Sequence, residues 1–278
     1  MSARFAFEMF AYGVLAPALV AAVASCLARR VLPAATAARH AGAFAFSAGV
    51  CAGYALLPEW APWIPERHWH WLPYLAIGAA VVGPIALAEG VGWFERWMLL
   101  VPLAIVASWL LVPRWPNLDP PRTTLVPAVA GYFFLLAVLL DGLPDRVPGR
   151  MLPGALFVSA AVVATVILDQ ASVSLARAAG LSACALGGIA AAFGRRATAM
   201  ELRGLVPAFA TIVGGMAFAG CIEPTEPLFA LLLIPAAPLA LWFLAWGPLR
   251  GSVTTRATLA RGTLFVLALI VGAAAIYA

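Results

Sequence analysis

The sequence has no lysine and little charge of any kind, since only 10% of its 278 residues are charged. Soluble domains carry about a quarter of their residues as charged side chains, so this chain cannot keep a folded surface in water. Hydrophobic residues make up 64% of the sequence, and its mean hydropathy is +0.98. These values indicate a protein whose main solvent is the lipid bilayer, with nothing left over for a soluble domain.

The sequence also lacks the common reaction motifs. It contains no His-Glu-x-x-His, no Gly-x-Ser-x-Gly and no phosphate-binding loop, which removes the simplest support for a zinc protease, a serine hydrolase or a nucleotide hydrolase. The four cysteines match no zinc or redox spacing. The three histidines lie outside the apolar blocks, so they do not suit haem between helices. We therefore expect no cofactor, and an enzyme is less favoured than a protein without catalytic activity.

Ten continuous apolar blocks follow one another along the chain. A bilayer core about 30 Å thick needs roughly 20 apolar residues per helix, and the blocks lack the alternating polarity of a β-barrel. We predict an all-α fold, a polytopic transmembrane helix bundle of nine or ten spans in a single integral membrane domain, residues 1–278. The least certain division lies between the sixth and seventh blocks. The blocks are residues 9–28, 41–57, 72–88, 97–113, 124–140, 152–168, 176–193, 204–222, 227–247 and 262–278.

The arginines predict an orientation. Of the seventeen, twelve lie in the gaps after spans 1, 3, 5, 7 and 9. Short arginine-rich loops stay in the cytoplasm, so we expect both termini to be extracytoplasmic, in a bacterial inner membrane. The twelve are Arg29, Arg30, Arg39, Arg96, Arg146, Arg150, Arg195, Arg196, Arg203, Arg250, Arg256 and Arg261.

Membrane lipids are the expected partners, besides a second copy or the subunits of a membrane complex. Nucleic acid is not expected, because the arginines form no single basic stripe.

The sequence also resembles itself. Arg29 and Arg30 after span 1 match Arg195 and Arg196 after span 7, and Arg96 and the residues after it match Arg261 and its followers. We predict a parallel four-helix repeat, with spans 1–4 and 7–10 as two copies joined by two central spans. The repeat units would be residues 1–113 and 176–278, and the joining spans residues 124–168. The alternative is chance similarity in a chain rich in alanine, leucine and valine.

One outer loop, residues 58–73, concentrates aromatic and metal-binding side chains. It holds two of the three histidines and four of the ten tryptophans. Imidazole and carboxylate groups suit zinc, copper or nickel, so His68 and His70 with Glu66 or Glu59 are candidate metal ligands. The alternative is an interfacial element whose tryptophans lie at the depth of the lipid headgroups. We favour the interfacial element, because His-x-His alone supplies only two ligands.

A solute or ion pathway has its own candidate residues. Asp169 and Arg177 are separated by two helical turns, and ionisable groups at membrane depth often mark pathways; if the chain turns at Asp169, that residue is simply exposed. The acidic outer residues Glu59, Glu223 and Glu226 form a second set, which would attract cations to a mouth between the repeat units. A solvated turn is the alternative for these acids.

Three functional classes remain open. A small-solute or ion transporter comes first, because of the number of spans, the repeat and the outer acids. A non-catalytic structural or assembly subunit of a membrane complex comes second, and an intramembrane lipid-modifying enzyme third. A polar cavity between the repeat units favours transport, whereas a dry, tightly packed centre counts against it.

We predict that a reporter fused to the C-terminus is active only outside the cytoplasm, because the arginine-rich gaps alternate with arginine-poor ones. Paired fusions of alkaline phosphatase and green fluorescent protein measure this directly. A fluorescent C-terminal fusion would overturn either the orientation or the even number of spans.

Overall fold

A computed structural model describes residues 10–56, 64–88, 90–147, 151–193, 198–224, 228–242 and 255–277. These ranges contain ten helices and no strand, and 85% of the residues are helical. The all-α prediction is confirmed, since every apolar block falls on one helix. The helices are α1 (Ala11–Val31), α2 (Ala34–Ala55), α3 (His68–Ala86), α4 (Trp93–Leu111), α5 (Arg122–Asp141), α6 (Met151–Gln170), α7 (Val173–Phe193), α8 (Ala199–Ile222), α9 (Phe229–Leu241) and α10 (Thr255–Tyr277).

Eight of the described helices are long and apolar enough to cross a membrane, and α2 and α9 are the two that are not among them. The architecture is therefore compatible with a multi-pass membrane bundle, while the count of nine or ten spans stays a prediction. The division between the sixth and seventh blocks is real, because α6 ends at Gln170 and α7 begins at Val173. Ala171 and Ser172 form the turn between these two packed helices.

Helix α9 is less regular than the predicted span 227–247. It has one turn of α-helix, Leu233–Ala236, between two 3₁₀ segments, Phe229–Leu232 and Ala237–Leu241. Pro235 and Pro238 account for the irregularity, because proline has no backbone N–H to donate within a helix. The predicted repeat pairs this broken helix with α3, which continues as regular α-helix from Leu72 to Ala86. The repeat itself stays a prediction.

Helix α8 lies at the centre of the bundle. Its most apolar stretch is completely buried, and α2, α3, α5 and α6 all pack against it. Its start is fixed by a capping box in which the Thr198 hydroxyl accepts a hydrogen bond from the Glu201 backbone N–H at 3.3 Å, and the Glu201 carboxylate accepts one from the Thr198 N–H at 2.8 Å. This reciprocal pair satisfies two N–H groups at the start of the helix. Consequently α8 is both the most buried helix and a firmly anchored one.

Aromatic side chains mark both ends of α4. Trp93 and Phe94 at its start are 69% and 62% exposed, and Trp109 near its end is 52% exposed. At 1.5 Å per residue, the two tryptophans are separated by about 24 Å along the helix. That length approaches the thickness of a bilayer core, and tryptophan is enriched at both membrane interfaces. The exposed surface of α4 therefore matches a membrane-spanning orientation.

A glycine allows α1 and α7 to approach closely. A Cβ atom built on Gly188 would collide with the backbone carbonyl of Ala18, whereas one built on Gly180 of the same helix meets nothing within 4 Å. Small residues at helix interfaces allow this kind of backbone contact inside membranes. The contact between α1 and α7 therefore has no space for a side chain at Gly188.

We predict that Gly188→Ala lowers the free energy of unfolding by about 1–3 kcal/mol, because backbone atoms must separate to admit the methyl group. Gly180→Ala is the matched control, and it should be neutral or stabilising by up to about 1 kcal/mol through helix propensity. Thermal unfolding of the two variants in detergent, followed by tryptophan fluorescence, provides the comparison. Equal midpoints would contradict the close contact.

Candidate functional site

A polar vestibule lies at the end of the bundle where α8 finishes. Three separate pieces of chain form it: the segment that leads into α3, the end of α4 with the residues after it, and Glu223 after α8. Its volume is about 690 Å³. Its charged or polar lining residues are Glu66, Arg67, His68, Arg114 and Glu223, and its tryptophans are Trp71, Trp109 and Trp115.

The two histidines of the outer loop have different surroundings. His68 lines the vestibule, with its ring 5.6 Å from Trp115 in an edge-on arrangement, and its buried Nε2 has no hydrogen-bond partner among the described residues. His70 turns back onto its own chain, where its Nδ1 accepts long hydrogen bonds from the backbone N–H groups of Glu66 and Arg67, at 3.4 and 3.5 Å. His68 is therefore the histidine available to a molecule in the vestibule.

The predicted metal site gains no support from this geometry. The described part of the chain contains no group of three histidine, cysteine, aspartate or glutamate side chains placed to hold a metal ion. His70 is occupied by its backbone hydrogen bonds, and Glu59 lies outside the described residues. A metal bound by His68, His70 and Glu66 stays a prediction. Trp69 of the same loop is buried in the bundle, edge-on to His70 at 4.3 Å.

The other predicted pathway residues lie outside the vestibule lining. Asp169 is exposed in the last turn of α6, where Gln170 donates a hydrogen bond to its carboxylate at 2.6 Å. Arg177 is half-buried on α7. Asp169 thus has the exposed position expected if the chain turns there. Glu226 lies outside the described residues, so Glu66, His68 and Glu223 are the predicted residues that one cavity brings together.

The vestibule does not continue into the bundle. Beneath it, a Cβ atom on Gly215 of α8 would lie 2.8 Å from a methyl carbon of Leu111 and 2.9 Å from one of Leu72. Between Arg203 and Glu223, the polar side chains of α8 are Thr211 and Cys221. The Thr211 hydroxyl donates to the carbonyl of Pro207 at 2.8 Å, and Cys221 is buried. In the described residues, the centre around α8 is closely packed and apolar.

An ion pair closes the opposite end of α8. The guanidinium of Arg29 on α1 donates to both carboxylate oxygens of Glu201, at 2.6 and 2.7 Å. The Thr198 hydroxyl donates to the same carboxylate at 3.0 Å, and the Arg29 guanidinium also lies 4.1 Å from the ring centre of Phe193. Glu201 is only 3% exposed. A buried carboxylate needs this number of donors, because removal from water is otherwise costly.

A second ionic group links α4, α5 and α8 at this same end. Asp141, the last residue of α5, pairs with Arg96 at 3.0 Å and with Arg203 at 3.9 Å, and Arg203 also pairs with Asp145. The sequence predicts that these arginines lie at one membrane surface but does not predict their partners. The acids Asp141, Asp145 and Glu201, which lie in or beside the arginine-rich gaps, are the signal that could have indicated them. We call this end, defined by Arg29, Arg96 and Arg203, the arginine end.

Comparisons with known proteins add no assignment: no protein-family model matches the chain, and searches of curated proteins and of solved structures find no significant match.

We predict that Arg29→Met lowers the free energy of unfolding by about 3 kcal/mol, because it leaves the Glu201 carboxylate buried without its cation. This is the lower end of the range for buried pairs, since the Arg29 side chain remains 26% exposed. Arg114→Met, at an exposed arginine of the vestibule end, is the control and should change stability by less than about 0.5 kcal/mol.

The double variant Arg29→Met with Glu201→Met tests the reason for that loss. It should recover most of the stability, because no unpaired charge remains and two apolar side chains of similar length can pack. Urea or thermal unfolding in the same detergent measures all variants. A double variant as unstable as Arg29→Met would contradict the electrostatic explanation.

Proposed function

We propose that the chain is a multi-pass membrane protein that binds a small zwitterionic solute in its vestibule and does not carry it across the membrane. The vestibule is the observation that supports this proposal. Its volume of about 690 Å³ lies within the range of about 300–1,000 Å³ typical of small-molecule pockets.

Charges of both signs in one pocket favour a zwitterion. Arg67 and Arg114 offer guanidinium donors for a carboxylate or phosphate, whereas Glu66 and Glu223 offer acceptors for a cationic group. The three tryptophans add aromatic surface, which attracts cationic groups. A purely anionic solute would be repelled by Glu66 and Glu223, and a purely cationic one by Arg67 and Arg114.

The packed centre is the reason for placing binding ahead of transport. A transported solute needs a path, and the path would have to pass α8, whose most apolar stretch is completely buried. Below the vestibule, Leu72 and Leu111 pack so closely on Gly215 that a Cβ atom there would collide with both side chains. A lipid-modifying enzyme has less support, because the Thr211 hydroxyl in the middle of α8 is engaged with a backbone carbonyl.

Transport is the second candidate, and the ionic groups at the arginine end favour it. An alternating-access carrier that is open on one side must be closed on the other. Arg29 with Glu201, and Arg96 and Arg203 with Asp141, join four helices at the end opposite the vestibule. Ion pairs between helices are contacts that can break when such a side opens. In this alternative, the vestibule is the entry site.

One experiment separates binding from transport. The full-length chain, reconstituted in liposomes, is incubated with radiolabelled glycine, glycine betaine and phosphocholine, and both bound and internalised label are measured. Saturable binding without uptake supports the first proposal, and saturable uptake supports transport instead. If none of the three probes binds, a zwitterion site in the vestibule is excluded.

We predict that Glu223→Gln and Arg114→Gln each weaken binding of the probe that binds by about tenfold, because a hydrogen bond to a charged group contributes about 1.5–3 kcal/mol. Asp169→Asn is the matched control, since this exposed acid lies outside the vestibule lining. Its dissociation constant should remain within a factor of two. An equal loss in all three variants would indicate a surface-charge effect and contradict the assigned site.

A further inference from the structure

A second cavity opens sideways between α1, α2 and α3. Its volume is about 710 Å³, and its lining is almost entirely apolar, with Leu27 and Val31 on α1, Phe44 on α2, and Val81 and Ile85 on α3. We call it the lateral groove. It is unconnected with the vestibule residues, and the proposed solute binding does not use it.

Polar atoms in the groove floor are already engaged. The Ser47 hydroxyl donates to the carbonyl of Ala76 at 2.7 Å, and the Cys51 thiol donates to the carbonyl of Pro73 at 3.6 Å. Both side chains line the groove but direct their hydrogens to the backbone of α3. The surface that remains is suited to hydrocarbon, which can form no hydrogen bond in return.

The length of the groove matches one leaflet of a bilayer. On α2 it extends from His40 to Cys51, which is about 16 Å at 1.5 Å per residue. Half of a hydrocarbon core about 30 Å thick is about 15 Å. The other walls come from the last turns of α1 and the second half of α3. A transmembrane helix of a partner would need twice this length, whereas one lipid acyl chain fits it.

The end of the groove at the membrane surface is basic. His40 lines the groove there, and Arg30, three residues after Leu27 and so on the same side of α1, is exposed. Among the described acids of the arginine end, Glu201 is paired with Arg29 and Asp141 with Arg96. A headgroup at this position therefore meets positive charge, which favours a lipid phosphate with net negative charge.

We propose that the lateral groove binds an anionic phospholipid from the leaflet at the arginine end, with one acyl chain between α1 and α3 and the phosphate near Arg30 and His40. The observations are independent of the solute site: an apolar groove, a depth of one leaflet, polar floor atoms that are already bonded, and a basic surface end. The bound lipid covers apolar surface of α2 that α1 and α3 leave open.

Native mass spectrometry of the full-length chain in detergent tests the proposal. The probes are phosphatidylglycerol and phosphatidylcholine with identical acyl chains. We expect one tightly retained lipid, with a preference for phosphatidylglycerol of about fivefold, the effect of a single cationic side chain near an anionic headgroup. Arg30→Gln should remove the preference while chain binding persists, and Arg114→Gln, at the opposite end, should leave the preference unchanged.

Ala48→Trp tests the groove itself, because an indole placed on its floor occupies the space of the acyl chain. We expect this variant to lose the retained lipid of either class. Leu135→Trp is the matched control on α5, where the native leucine is 55% exposed and lies outside the groove, and it should retain the lipid. Unfolding midpoints of both variants verify that the bundle is intact. Arg30→Gln tests the same site without altering any residue that lines the groove.

Several results would overturn this proposal. Equal retention of the two lipids, or a preference that survives Arg30→Gln, would exclude an anionic headgroup site. Retention that survives Ala48→Trp in a folded bundle would exclude the groove. A dimer of the native chain that Ala48→Trp dissociates would identify a second copy as the occupant instead.

Discussion

Complete burial of α8 is the constraint on which the other features depend. A helix surrounded by protein within a membrane can place a polar side chain along its length only where a partner is at hand, because neither water nor lipid will supply one. Thr211 meets this condition through the carbonyl of Pro207. Charged side chains are consequently found at the two ends of α8, at Glu201 and Arg203 and at Glu223. Small residues such as Gly215 then allow α3 and α4 to close around the middle.

The two ends of α8 differ in how well their charges are matched. At the arginine end, Glu201 receives donors from Arg29 and Thr198, and Asp141 lies between Arg96 and Arg203. This arrangement stabilises the assembly of α1, α4, α5 and α8. At the other end, the vestibule holds charges of both signs around about 690 Å³ of open space. Matched charge suits a structural role, and open, mixed charge suits a ligand.

The outer surface of the bundle also has two kinds of region, a plain apolar surface and a concave groove with a basic end. Most exposed side chains of the long helices are apolar and need no partner other than lipid. The lateral groove differs because it is concave, as deep as one leaflet and basic at its surface end. The proposed solute site and the proposed lipid site therefore lie in different solvents and use different chemistry. A substitution in the vestibule should therefore leave lipid binding in the lateral groove unchanged, and the reverse.

The sequence alone determined which segments are helices, because an apolar run long enough to enter a bilayer has no other regular structure available to it. It also assigned most arginines to one set of gaps between helices, and Glu66, His68 and Glu223 to the opposite set. It did not show how Pro235 and Pro238 divide α9 into short α-helical and 3₁₀ turns within a run that is apolar throughout. Only the tertiary structure paired Arg29 with Glu201, 172 residues away, and brought Arg114 and Trp109 to the vestibule. Hydropathy is a local property that each segment carries by itself, whereas these partners are set by which helices pack against α8.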